Sequence, residues 1–217
     1  MTPPAATAQT GRRPRLPKGE GRQLRAEILD ATEQMLLETG SSRAVSIRAV
    51  ADAVGVTPPS IYRHFADKNE LIFEVCARHF AALEDHIRRA SAGRTDPVDR
   101  LVAMGRAYIE FGMANPEPYR IMFMTRADVA PEQFRNEMLA SSDSFAILMA
   151  AVQDCIDAGR IRPEYTDAYR LSIGFWARVH GLTSLYVSKP DMDWPDIPGF
   201  IDEYADMCLR GVVVPGT

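Results

Sequence analysis

An all-α fold is predicted by three observations on the 217-residue sequence. From Arg22 onward, apolar residues recur at i, i+3, i+4 and i+7, the spacing of one helix face. No segment alternates apolar and polar residues as a half-buried strand does. Beyond residue 20, most prolines and glycines fall between the periodic stretches, where they punctuate helices. The helices sort into a small N-terminal domain carrying a helix-turn-helix and a larger C-terminal helical domain.

Helix one is expected over about 22–39, with Leu24, Ile28, Ala31 and Met35 on one stripe and Gly40 as a left-handed C-terminal cap. Helix two is expected over about 46–53, capped by Ser46, with Ile47, Val50, Ala51 and Val54 on one face and Gly55 ending it. Helix three is expected over about 58–65, capped by Thr57, with Pro58 and Pro59 in a first turn whose N–H groups are unpaired anyway. Helix four follows Asp67 and runs to about Ala90. Further helices are placed near 97–114, 117–124, 131–158, 166–187 and 197–213 from the intervening Pro, Gly, Asn and Asp breaks. Residues 1–20, rich in Pro, Gly, Ala and Thr with interspersed arginines, are expected to be a disordered basic arm. The domains then run over 21–83, with the helix-turn-helix proper at 46–65, and over 84–217.

Hydrophobic residues make up 46% and charged residues 25%, enough apolar material for a core in an ordinary water-exposed chain. The net charge of −4 argues against nucleic-acid binding by the whole surface. The distribution points elsewhere: residues 12–25 hold Arg12, Arg13, Arg15, Lys18, Arg22 and Arg25 against Glu20 alone. A basic end on an acidic body suggests a DNA-contacting end. That arm either adds phosphate or minor-groove contacts or is a solvated tail. Cys76, Cys155 and Cys208 are odd in number and far apart, which fits small buried hydrophobes in a reducing compartment rather than disulfides or a zinc site. No apolar run is long enough to span a bilayer and no secretory signal is evident, so a cytoplasmic location and no membrane partner are expected.

Two short helices joined by a tight glycine-containing turn make a helix-turn-helix, in which the first helix braces a second that enters the major groove. On helix three, Ile61 and Phe65 lie on one face, four residues apart, and point inward. Pro59, Ser60 and Arg63 point the opposite way, flanked by Tyr62 and His64. Such an outward face suits a groove: Arg63 offers a bidentate fork to a guanine edge, Ser60 permits close approach and Pro59 can touch a thymine methyl. Thr57, Tyr62 and His64 are placed for phosphates. Arg48 reaches either DNA or Asp52 four residues on, and Lys68 either holds a phosphate at the start of helix four or is an exposed lysine.

The run ILDATEQMLLETG followed by VSIRAVADAVGVTPPSIYRHFADKNEL closely resembles the DNA-binding domain of TetR-family regulators. The portion G-V-T-x-x-x-I-Y-R-H-F-x-x-K-x-x-L matches from Gly55 to Leu71 without a gap, and the resemblance covers roughly residues 22–83. It implies contacts to double-stranded operator DNA at Ser46, Arg48, Thr57, Pro58, Pro59, Ser60, Tyr62, Arg63, His64 and Lys68. It also implies a homodimer on a palindromic operator and a repressor released by a small apolar effector. Pro58 departs from the longer polar residue common there, which bears on the operator sequence. A ligand-independent regulator or an activator shares the same DNA-binding signature.

The C-terminal domain is rich in Met and aromatic residues. Thioether and aromatic walls serve either as core or as a plastic pocket. The candidate ligand residues are Met104, Tyr108, Phe111, Tyr119, Phe123, Phe145, Met149, Trp176 and His180. The segment FWARVHGLTSL, with Trp176, His180 and Gly181, resembles the TetR C-terminal class named for its Trp, His and Gly. His180 bonds either a ligand or a buried carbonyl, and Gly181 is expected at a close helix crossing. The last two helices carry Leu171, Phe175, Leu182, Leu185, Phe200, Ile201, Tyr204, Met207 and Leu209; the resemblance implies that they form the dimer interface, although part of the same set fits an internal core. His64, His79, His86 and His180 occur without a nucleophile elbow, phosphate loop or metal-spaced acids, so no catalytic residue, metal or cofactor is expected and the chain is read as not an enzyme.

Overall fold

The structure, a computed structural model, describes residues 21–123 and 143–214. The expected basic arm lies outside the described residues, as do the last residue of the helix expected over 117–124 and the first part of the one expected over 131–158. The chain divides into two compact units, with residues 21–75 in the first and 76–123 with 143–214 in the second.

The first unit contains α1 (Gly21–Thr39), α2 (Ile47–Val54), α3 (Pro58–Ile61) and the start of α4 (Lys68–Ser91). Leu24, Ile28 and Leu36 from α1 are buried, as are Val50 and Ala51 from α2 and Ile61, Phe65 and Leu71 beyond it. Ser46 caps α2 by accepting a hydrogen bond from the Ala49 N–H at 3.1 Å. Gly55 ends α2 at φ 73°, a left-handed conformation that needs no Cβ, and its N–H reaches the carbonyls of Ala51 and Asp52. Regular helix in α3 stops at Ile61 rather than at residue 65. Two prolines remove donors from so short a helix, and the next turn tightens: the His64 N–H bonds the carbonyl of Ile61, three residues back. At the start of α4 the Asp67 carboxylate accepts from the N–H groups of Asn69 and Glu70.

The second unit contains the rest of α4 with α5 (Pro97–Ala114), α6 (Pro116–Phe123), α7 (Asp143–Asp157), α8 (Ala168–Ser188) and α9 (Ile197–Leu209). Residues on most sides of α5 are buried, including Leu101, Met104, Tyr108, Ile109 and Phe111. A helix apolar all round belongs in the middle of a bundle, and α5 packs against α6, α7, α8 and α9. Asp96 and Pro97 fix its start: the Asp96 carboxylate accepts from the N–H groups of Val98 and Asp99 and pairs with Arg160.

Two expectations are corrected here. Gly181 has nothing within 4 Å of an added Cβ, so among the described residues no helix crosses closely there. The close crossing is at Gly112 on α5, where a Cβ would meet the Thr183 side chain and lie 2.9 Å from Cδ2 of Tyr119. The last helix ends at Leu209 rather than at residue 213. The N–H groups of Val212 and Val213 turn back to the Leu209 carbonyl, and Val213 forms an isolated antiparallel bridge with Ile161. These β-branched residues favour the extended pairing. Cys76 and Cys155 are buried, and burial pushes both thiols up to about 11. Cys208 is half-buried. No helix among the described residues is long and apolar enough to cross a membrane.

Candidate DNA-binding surface and ligand cavity

In the first unit, Ile61 and Phe65 are 0% and 1% exposed, so the inward face of α3 and its following turn is fixed by packing. The same rotation leaves Pro59, Tyr62 and Arg63 exposed, with Ser60 and His64 half-buried beside them. Tyr62 is 56% exposed. An Nη2 of Arg63 donates to Oγ of Ser60 at 3.2 Å, and that oxygen lies 3.2 Å from Oγ1 of Thr57. Three candidate residues thus share one short polar chain across the start of α3. Thr57 makes no side-chain cap bond. Pro58 is half-buried.

Ser46 and Arg48 are exposed at the start of α2. Among the described residues Arg48 forms no ion pair with Asp52, which leaves its guanidinium open to an outside partner. Lys68 donates from Nζ to the Ser42 carbonyl at 3.0 Å, using one of its three protons. Burial, then the Arg63 and Arg25 guanidinium groups, hold the His64 imidazole below its usual pKa. In the free chain this favours the neutral ring, whose two nitrogens can donate and accept a hydrogen bond. Arg25, not singled out from the sequence, lies 5.0 Å above the Phe65 ring and pairs with Glu74 at 3.0 Å. It braces the back of the same segment.

The second unit contains a partly open cavity of about 480 Å³, within the range of small-molecule sites. Met104, Tyr108, Phe123, Phe145 and Trp176 line it, as expected residues of a pocket. Phe111, Tyr119, Met149 and His180 do not line it. Phe111 packs its ring 5.9 Å from that of His86, and Tyr119 is 1% exposed in the core. Sequence reasoning missed Phe80, Leu83 and Ile87 of α4; Phe175, Ile201, Tyr204 and Leu209, read as dimer interface or internal core, line the cavity. The α4 trio could have been found from its own i, i+3, i+7 stripe. Leu185 and Met207 do face outward, at 55% and 65% exposed.

Behind the cavity wall lies a polar cluster. Nδ1 of His180 is 2.7 Å from the Tyr119 hydroxyl and 3.0 Å from that of Tyr108. Tyr119 also reaches Oγ of Ser184 at 3.2 Å and the His180 carbonyl at 3.3 Å. His180 thus takes tyrosine hydroxyls as partners, and its carbonyl contact is as an acceptor. Burial lowers the imidazole pKa and raises both phenols, so the cluster is uncharged at neutral pH. The Trp176 and His180 rings are 5.7 Å apart, as their four-residue spacing on α8 requires.

Residues 28–75 match the family described as "Bacterial regulatory proteins, tetR family", and residues 101–210 match "Tetracyclin repressor-like, C-terminal domain". The chain is 29% identical over 144 residues to the HTH-type transcriptional activator FasR of Mycolicibacterium smegmatis, covering 66% of this chain and 59% of that one. The match therefore spans about three fifths of that relative's length. It is 28% identical over 159 residues to the HTH-type transcriptional repressor KstR of Mycobacterium tuberculosis, covering 71% of each chain. The fatty acid degradation regulator FadR from Bacillus halodurans has the same fold, with a TM-score of 0.71 at 18% identity, over 91% of this chain and 98% of that one.

Proposed function

Because the chain belongs to the tetR family of bacterial regulatory proteins and is a DNA-binding transcriptional regulator, we propose that it acts as a homodimeric repressor released from a palindromic operator by a small apolar molecule. The observation that carries the ligand half of this reading is the cavity of about 480 Å³ walled by aromatic and aliphatic side chains. A closed core would leave no such space, since protein interiors pack to crystal density. In this reading Arg63, Pro59, Ser60 and Pro58 face the bases, Arg48 reaches a base or a phosphate, and Ser46, Thr57, Tyr62, His64 and Lys68 position the backbone. The basic arm at 1–20 adds charge to that contact, and residues 21–83 and 84–217 act as the DNA-binding and the ligand-binding halves.

Dimerisation is supported by the outer face of α8. Ile173 and Leu185 are 41% and 55% exposed, and Gly174 and Gly181 between them meet nothing within 4 Å. Small residues flanked by large exposed ones let a second helix approach closely and bury apolar surface. Ala177→Glu, an exposed residue on that face, is expected to convert a dimer to a monomer in sedimentation equilibrium. A wild-type chain that sediments as a monomer would contradict the dimer.

Two recognition helices of such a dimer must sit about 34–36 Å apart to enter successive major grooves. A ligand that prefers a dimer with another spacing weakens operator binding by its differential affinity, typically about 1–3 kcal/mol or roughly 5- to 150-fold. Fluorescence anisotropy on an operator duplex, titrated with a molecule shown to occupy the cavity, tests this. Unchanged DNA affinity at saturation would refute ligand release. Activation is the second reading, favoured by the similarity to the transcriptional activator FasR; a reporter whose transcription falls when the chain is deleted would select it.

A further inference from the structure

The cavity presents one hydroxyl that can change partners without loss. Tyr108 lines it, and its O–H competes with that of Tyr119 for Nδ1 of His180, at 3.0 and 2.7 Å. A neutral imidazole nitrogen accepts or donates one hydrogen bond, so it serves one phenol at a time. The two phenols are not equally placed for the alternative. When Tyr108 takes the nitrogen, Tyr119 has Ser184 at 3.2 Å and the His180 carbonyl at 3.3 Å. When Tyr119 takes it, the Tyr108 O–H has only the Tyr119 oxygen, at 3.4 Å, to accept it among the described residues, since the Trp176 indole beside it can only donate. The second arrangement therefore frees a buried donor at the cavity wall, and the cluster remains satisfied once that donor finds an acceptor. A second hydroxyl points the same way. Oγ of Ser144, on the cavity wall at the start of α7, is buried and has no hydrogen-bond partner among the described residues. An unpaired buried hydroxyl is costly unless something else supplies its partner.

We propose that the effector is an uncharged, mostly hydrocarbon molecule carrying a hydrogen-bond acceptor such as a ketone, ester or hydroxyl oxygen, which accepts from Tyr108 while Tyr119 takes over His180. This rests on the ligand-binding reading of the cavity given above. The charge state follows from the surroundings. Of the two cations that line the cavity, Arg106 pairs with Asp202 and Glu110, and Arg178 stands at an exposed position, donating to the Cys208 carbonyl at 3.0 Å; neither shares a hydrogen bond with the cluster of Tyr108, Tyr119 and His180. A carboxylate bonded to the buried phenols would lose its hydration with no cation in that cluster to offset it.

Equilibrium dialysis of the full-length chain against matched probes tests the proposal: 2-dodecanone, dodecane and dodecanoate. The ketone is expected to bind more tightly than the alkane, by about five- to tenfold for one buried hydrogen bond. Tyr108→Phe is expected to remove that advantage and leave dodecane unchanged. Tyr119→Phe, which returns His180 to Tyr108, is expected to weaken the ketone selectively as well, and it serves if Tyr108→Phe fails to fold. Equal effects of both variants on ketone and alkane would overturn the proposal while sparing the cavity as a binding site. Dodecanoate binding best, with its advantage lost in Arg178→Gln, would overturn it in favour of an anionic ligand. Binding of none of the three would count against both this proposal and the ligand-binding reading beneath it.

Discussion

Gly112→Val is expected to destabilise the protein by about 3 kcal/mol, the upper end for overpacking a well-filled core. The reason is local. A Cβ at residue 112 would fall inside contact distance of the Thr183 side chain on α8 and 2.9 Å from the Tyr119 ring on α6. Neither neighbour can give way easily. Thr183 is fully buried and its hydroxyl bonds the Val179 carbonyl at 2.8 Å. Tyr119 is 1% exposed and tied to His180. For a chain of this length a loss of that size lowers Tm by roughly 6–12 °C. Gly105→Ala, seven residues earlier on the same helix, is the control. Its Cβ would sit 3.5 Å from Cγ1 of Val179, ordinary contact. It should raise stability by up to about 1 kcal/mol through helix propensity alone. Equal melting of wild type and Gly112→Val in a thermal scan by circular dichroism would refute the packing argument.

Arg63→Ala is expected to weaken binding to the preferred operator by about 1–3 kcal/mol, roughly 5- to 150-fold, because a bidentate arginine–guanine contact is worth that much discrimination. The side chain is exposed, yet the Ser60 hydroxyl restrains one of its nitrogens at 3.2 Å. A restrained guanidinium loses less entropy on docking than a free one. The variant should also tolerate substitution of one base pair in each half-site that the wild type rejects. If Arg63 met only phosphates, the loss would be uniform across sequences and the salt slope would fall by about 1. Anisotropy titrations on the preferred duplex and on single-pair variants, at two salt concentrations, separate the two outcomes.

Much of the DNA-binding unit is legible in its local chemistry. Ser46 and Gly55 bracket α2 because one supplies a cap oxygen and the other a positive φ, and both signals lie within a few residues of the helix they bound. The face of α3 was equally legible, since Ile61 and Phe65 are four apart and both are buried. Its length was not. Tyr62, Arg63 and His64 have helical composition, and only the hydrogen bond from His64 back to Ile61 reveals the tightened turn. The cavity was legible in half. Trp176 and Tyr108 line it, whereas Phe111 and Tyr119, with the same chemistry, fill the core beside it. Composition marks large apolar side chains but not which of them faces a void. The glycines make the same point: Gly112 and Gly181 both lie inside helices, and only the facing elements decide which one marks a crossing. The hydrogen-bonded cluster of Tyr108, Tyr119 and His180 joins three helices and has no linear signature.

The central claim is that this chain reads DNA sequence as a two-fold symmetric dimer through the turn that presents Pro59, Ser60 and Arg63. Selection of bound duplexes from a random pool by the full-length chain tests it most directly. The account predicts enrichment of a palindrome whose half-site centres lie about 10–10.5 base pairs apart or a multiple of that. A pool that enriches no sequence, or a single asymmetric site bound by one chain, would contradict it.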